Sequence, residues 1–88
     1  HDTRVIEGVR RQASAGERVA LIHEEATELL AHIREGDLTS AGERVALADI
    51  VIRCLDYAGR YEIDLGRLIA TKMRHNRTRT HRHGGKVL

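Results

Sequence analysis

Apolar residues recur at helical spacing along most of the chain. Val19, Ile22, Ala26, Leu29, Leu30 and Ile33 fall on one stripe when the sequence is stepped at about 100° per residue. From Val45 to Leu55 nearly every position is apolar, the mark of a helix covered on most sides. The pattern predicts four helical segments: a weak one over about Thr3 to Gln12, and stronger ones from about Ala15 to Glu35, from about Ala41 to Arg60, and from after Asp64 to about Arg77. Ser14-Ala15-Gly16-Glu17 and Ser40-Ala41-Gly42-Glu43 read as capping boxes, Gly36-Asp37 as a helix end, and Asp64 as an N-cap. The octapeptide SAGERVAL occurs twice, at Ser14–Leu21 and Ser40–Leu47. This repeat predicts two helices with equivalent starts, joined by a short turn over Gly36 to Thr39 into an αα-hairpin. The expected architecture is an all-α helical bundle forming one domain over residues 1–88, with about 77–88 as a basic tail.

Composition narrows this picture. Eighty-eight residues, 41% apolar, give one small domain with a thin core, for which oligomerisation is a common remedy, so completion of the core by dimerisation is expected. Tyr57 and Tyr61 are the only aromatic residues, so the core is aliphatic. Proline is absent, which favours long helices. One cysteine, Cys54, excludes an intrachain disulfide and a cysteine-rich zinc site. No apolar run is long enough for a membrane span, and no secretory leader is visible, which makes a reducing cytoplasm the expected compartment. Charge is sorted along the chain: residues 1–70 hold 9 basic and 13 acidic side chains, residues 71–88 hold 6 basic and none acidic.

The acidic positions suggest chemistry. Glu25 lies at the edge of the apolar stripe of its helix and Glu28 one step further round, whereas Glu24 points toward solvent. Two like charges three residues apart are unfavourable by a few tenths of a kcal/mol unless a cation lies between them. In the next helix Asp49, Arg53 and Asp56 interrupt an otherwise apolar run and share a stripe with Ala46. Arg53 and Asp56 read chiefly as an intrahelical salt-bridge ladder. Antiparallel packing of the two helices would bring Glu25, Glu28 and Asp49 together as hard oxygen donors suited to Mg²⁺, with Mn²⁺ as the alternative. In the last helix Lys72 and Asn76 continue a stripe begun by Leu65 and Ile69, with Arg77, Arg79 and Arg82 following. Carboxylates for a metal together with cationic and amide groups for anions meet the needs of metal-assisted phosphate chemistry.

Three segments together carry a resemblance. Glu24-Glu25-Ala26-Thr27-Glu28 resembles the EExxE motif of the MazG-like all-α nucleoside triphosphate pyrophosphohydrolases. Leu47 to Arg53 is similar to the helix bearing their ExxD motif. Lys72 to Arg79, followed by Arg82-His83-Gly84-Gly85-Lys86, looks like the C-terminal KxxxNxxR and RHGGK signature of one branch. The likeness covers about residues 16 to 86. It implies a dimer or dimer of dimers that hydrolyses a nucleoside triphosphate to the monophosphate and pyrophosphate. Carried over position by position, it implies Glu25, Glu28 and Asp49 as ligands of Mg²⁺, Glu24 as an accessory acid that orients water, and Lys72, Asn76, Arg79 and Arg82 as phosphate-binding groups. The sequence departs from the family at Ala46, which stands where ExxD has its glutamate; Glu43 and Asp56 do not replace it. Either a substitution or a naturally reduced site accounts for Ala46. The expectation is weakened metal binding and slow turnover.

Two other readings compete. The bundle could be a catalytically reduced nucleotide-binding or assembly module. The basic end could contact nucleic acid through phosphates, although no aromatic residue lies there to stack on bases, which argues against it. The histidines His75, His81 and His83 read as surface groups of the tail, and the two tyrosines as packing residues.

Overall fold

The structure is a computed structural model and describes residues 2–38 and 41–82, the last four of these for backbone alone. It contains three helices, α1 (Thr3–Arg34), α2 (Ala41–Arg60) and α3 (Leu65–Arg82), and no strand among the described residues. No helix there is long and apolar enough to cross a membrane.

The first two expected helices are one. Asp2 caps α1, its Oδ1 accepting from Arg4 N at 2.9 Å, and the helix then runs 32 residues through Ser14 and Gly16. A capping box needs a non-helical residue at its start, and nothing before Ser14 breaks the helix: there is no proline, and Val5, Ile6 and Val9 already lie at helical spacing. Ser14 instead turns its hydroxyl to tertiary use. Its Oγ accepts from the Tyr61 hydroxyl at 2.7 Å and from Arg18 at 2.9 Å. The other two starts fall where the sequence places them. Helix α2 begins at Ala41, with Ser40 outside the described residues, and Asp64 caps α3 by accepting from Arg67 N at 3.2 Å. Helix α3 continues past Arg77 to Arg82.

Helices α1 and α2 end alike. Gly36 is left-handed (φ 75°), Asp37 N donates to His32 O at 2.9 Å, and Gly36 N to Ile33 O at 3.0 Å. At the end of α2, Glu62 is left-handed (φ 54°) and Ile63 N donates to Ala58 O at 2.9 Å. Both are Schellman-type ends, which satisfy terminal carbonyls and turn the chain sharply. The first turn folds α2 back along α1 into the expected hairpin. The pairs His32 with Gly42 and Ser14 with Tyr61, at opposite ends, fix the antiparallel register.

Little is buried within the chain. Ala46 (5% exposed) and Ala58 (7%) are the only buried residues among those described, both on α2 where it faces α1. This corrects the reading of α2 as covered on most sides: Val45, Leu47, Val51, Ile52 and Leu55 remain exposed. The cause is that α3 packs on neither helix of the hairpin. It leaves sideways, giving a slab 54 × 39 × 17 Å, one helical layer thick. The radius of gyration, 17.8 Å, exceeds the roughly 12 Å of a compact chain of this length. The surface, 7539 Å², is likewise about 2,300 Å² larger than a compact monomer of 9.9 kDa presents.

Candidate functional site

The hairpin brings the three expected acids to one place. Glu25 and Glu28 lie one turn apart on α1, and Asp49 lies in the first half of α2. With His32, Ala41, Gly42, Val45 and Ala46 they line a cleft of about 530 Å³. The alternation of long acids with small residues makes the space. Ala46 forms a buried part of the wall, so a methyl group stands where a side chain would otherwise fill the cleft. Glu25 and Asp49 are half-buried, while Glu28 is exposed.

Geometry at the turn end of the cleft is tight. His32 Nδ1 lies 3.2 Å from Asp37 Oδ2, so the imidazole and carboxylate together close that end. They pass directly over Gly42: a Cβ there would come within 2.6 Å of His32 Cε1 and 3.0 Å of Asp37 Oδ2. The duplicated octapeptide thus has two environments. At its first copy nothing approaches Gly16 within 4 Å, and Ala20 is exposed; at its second, Gly42 and Ala46 are both enclosed. His32 belongs to the cleft wall, and its spacing of four from Glu28 places both on one side of α1.

The remaining acids sit differently. Glu24 is exposed and lies outside the cleft, in a shallow groove on the outer side of α1 with Glu25, Thr27 and Glu28. Arg53 and Asp56 line a separate depression with Glu17, Arg18, Leu21, Leu55, Gly59 and Arg60. No ion pair joins Arg53 to Asp49 or Asp56 among the described residues, so the expected salt-bridge ladder is absent and Asp49 has no cation held against it. No three acidic, histidine or cysteine side chains among the described residues stand closely enough together to hold a metal ion, so the expected convergence of Glu25, Glu28 and Asp49 into a ligand set is not seen. The donor set itself, three carboxylates on two rigid helices around open space, suits a hard divalent cation that retains several waters.

The groups expected to meet phosphates are elsewhere. Lys72 and Asn76 are exposed on α3, which does not return along the hairpin, so within one chain they do not join the acidic cleft. The side chains of Arg79 and Arg82 lie outside the described residues. Tyr57 and Tyr61 do pack, edge to face at 4.8 Å, and Arg11 lies 4.2 Å over the Tyr61 ring. This cluster ties the far end of the hairpin through two long-range contacts of Tyr61, with Ser14 and with Arg11. Compared with family models, with curated proteins and with solved structures, the chain matches none.

Proposed function

We propose that the chain is a MazG-like helical domain that hydrolyses nucleoside triphosphates to monophosphate and pyrophosphate, as a homodimer or dimer of dimers. One observation carries this reading: Glu25 and Glu28 of α1 and Asp49 of α2, which lies 24 residues after Glu25 and 21 after Glu28, line the same cleft together with Ala41, Gly42 and Ala46. Glu25, Glu28 and Asp49 are the residues that would hold Mg²⁺, or Mn²⁺. The ion would supply charge neutralisation beside the phosphates. Glu24, on the outer edge, orients water, and Lys72, Asn76, Arg79 and Arg82 hold phosphate oxygens. With Ala46 at the fourth position the donor set is short by one carboxylate, which lowers affinity for the cation and slows turnover. The exposed apolar residues of α2 and α3 and the surplus surface support an oligomer.

The test is pyrophosphate release from a panel of deoxynucleoside and nucleoside triphosphates with Mg²⁺ and with Mn²⁺, run on this chain and on Ala46→Glu. Slow, metal-dependent release that rises in the variant is expected, with loss of release in Asp49→Asn. No release from either chain refutes the hydrolase reading. The wall position of Ala46 favours one alternative, a module that binds nucleotide without turnover. Calorimetry that records triphosphate binding while the release assay stays flat would select it.

A further inference from the structure

Charge is divided between the hairpin and the helix that leaves it. Residues 1–64 carry eight basic and thirteen acidic side chains, whereas α3 carries six basic and none acidic. The apolar residues of α3 stop at Met73, and from Arg74 to Arg82 the helix is built of Arg, His, Asn and Thr alone. Stepped at about 100° per residue, Arg67, Thr71, Arg74, Arg77 and Thr78 fall within an arc of about 120°, on the side opposite Leu65 and Ile69. All five are exposed. Thr78 Oγ1 donates to Arg74 O at 3.1 Å, and Arg74 donates to Thr71 Oγ1 at 3.5 Å, so the hydroxyls lie along the arginine row. Among the described residues no carboxylate pairs with any of the three arginines.

Arg74 and Arg77 repel one another across one turn, and an anion laid along the row removes that repulsion. From Arg67 to Arg77 the row is about 15 Å long and rigid, so it fits a rigid line of negative charge better than one small anion. Double-stranded DNA presents such a line, with a charge about every 1.7 Å along its axis. Its major groove, about 12 Å wide, admits a helix whose diameter with side chains is about 10–12 Å. The last turns of α3 can enter that groove with no apolar side chain left uncovered, and arginine and threonine both donate to phosphate oxygens. The want of an aromatic residue on α3 bars stacking on a single strand, but a duplex keeps its own bases stacked. The deep, narrow major groove of an RNA duplex does not admit the helix. An anionic lipid surface suits α3 less, because its apolar residues stop halfway along. The acidic remainder of the chain repels a polyanion, which leaves the projecting helix as the point of contact.

We propose that α3 binds double-stranded DNA, laying Arg67, Arg74 and Arg77 on phosphates along the major groove without selecting bases. Nothing in this contact depends on the hydrolase reading or uses the carboxylate cleft.

The test is fluorescence anisotropy of a labelled DNA duplex of mixed sequence, titrated with the full chain in chelator at rising KCl. Binding should weaken with salt along a straight line of log K against log[KCl], with a slope of about −2.7 or steeper for three phosphate contacts. A shallower slope, or no binding at low salt, overturns the proposal. Arg67→Gln with Arg74→Gln and Arg77→Gln should make the slope shallower by about 2.7 and weaken binding at low salt by about tenfold or more. The three side chains are exposed, so the variant should keep its helix content by circular dichroism, and lysine at the same positions should restore binding. A control removes equal charge from the hairpin, by Arg4→Gln with Arg10→Gln and Arg34→Gln, and should leave the slope unchanged. An equal loss in that control overturns the proposal. So does tighter binding to the single strand or to an RNA duplex of the same sequence, or binding to phosphatidylserine vesicles with none to the duplex. Neither metal nor nucleotide enters the measurement. DNA binding with a flat pyrophosphate assay would therefore reject the hydrolase reading alone, and pyrophosphate release without DNA binding would reject the DNA contact alone.

Discussion

Placing a glutamate at position 46 should make the chain less stable than its parent in chelator and remove that deficit in divalent cation. Ala46 is 5% exposed and lines the cleft with Glu25, Glu28 and Asp49. In chelator, Ala46→Glu adds a fourth carboxylate beside three others. Repulsion from Asp49, one turn away, costs a few tenths of a kcal/mol. Setting a polar group at an enclosed position without a partner costs about 1–3 kcal/mol, and the open mouth of the cleft lets the carboxylate reach water, which keeps the sum near 1–2 kcal/mol. For a domain of this size each kcal/mol moves the melting temperature by about 4–8 °C, so a drop of about 5–15 °C is expected. A cation bound to the native cleft at a hundred times its dissociation constant restores about 2.7 kcal/mol, enough to erase the deficit. The assay is thermal unfolding followed by circular dichroism at fixed chain concentration, for both chains, in chelator and in rising Mg²⁺. The variant should melt below the parent in chelator and draw level with it or pass it in Mg²⁺. A variant as stable as the parent in chelator, or a deficit that Mg²⁺ leaves untouched, would refute the argument that position 46 faces a cation-binding cleft.

Other substitutions probe the frame around the cleft. Gly16→Ala, in open surroundings inside α1, should stabilise by roughly 0.5–1 kcal/mol through backbone entropy, whereas Gly42→Ala should show no such gain because the new methyl displaces His32 from Asp37; equal shifts in urea midpoint for the two would contradict the enclosed position of Gly42. Tyr61→Phe removes the 2.7 Å hydrogen bond to Ser14 and should cost about 1 kcal/mol. In a double-mutant cycle with Ser14→Ala that cost should largely disappear, and additive losses would show that the two hydroxyls are not coupled.

Helix starts were legible where local chemistry decides them. Asp64 caps α3 because the capping residue and the turn before it are contiguous in sequence. Ser14 shows the limit: the same SAGE tetrapeptide lies inside a continuous helix because the residues before it propagate helix and a hydroxyl 47 positions away claims its oxygen. Glu25, Glu28 and Asp49 could be assigned to one cleft because helical period and a short turn fix their faces. His32 over Gly42 could not, since it depends on how closely the two helices approach at the turn. The apolar run of α2 was read as buried on most sides. Hydrophobicity records that a surface is apolar and says nothing of which chain covers it, and in this fold α3 leaves most of that surface open.

The left-handed residue at Glu62 has a consequence for α3. The bonds from Ile63 to Ala58 and from Arg67 to Asp64 set its heading through the main chain and a cap, independently of any side chain along its length. It therefore projects as an aimed prong and not as a tethered coil. A prong already pointing its way loses little freedom on meeting a complementary surface, so affinity is set by the fit of the two faces. If the chain self-associates as proposed, lengthening or loosening the four-residue elbow 61–64 should weaken that association without altering any residue along α3.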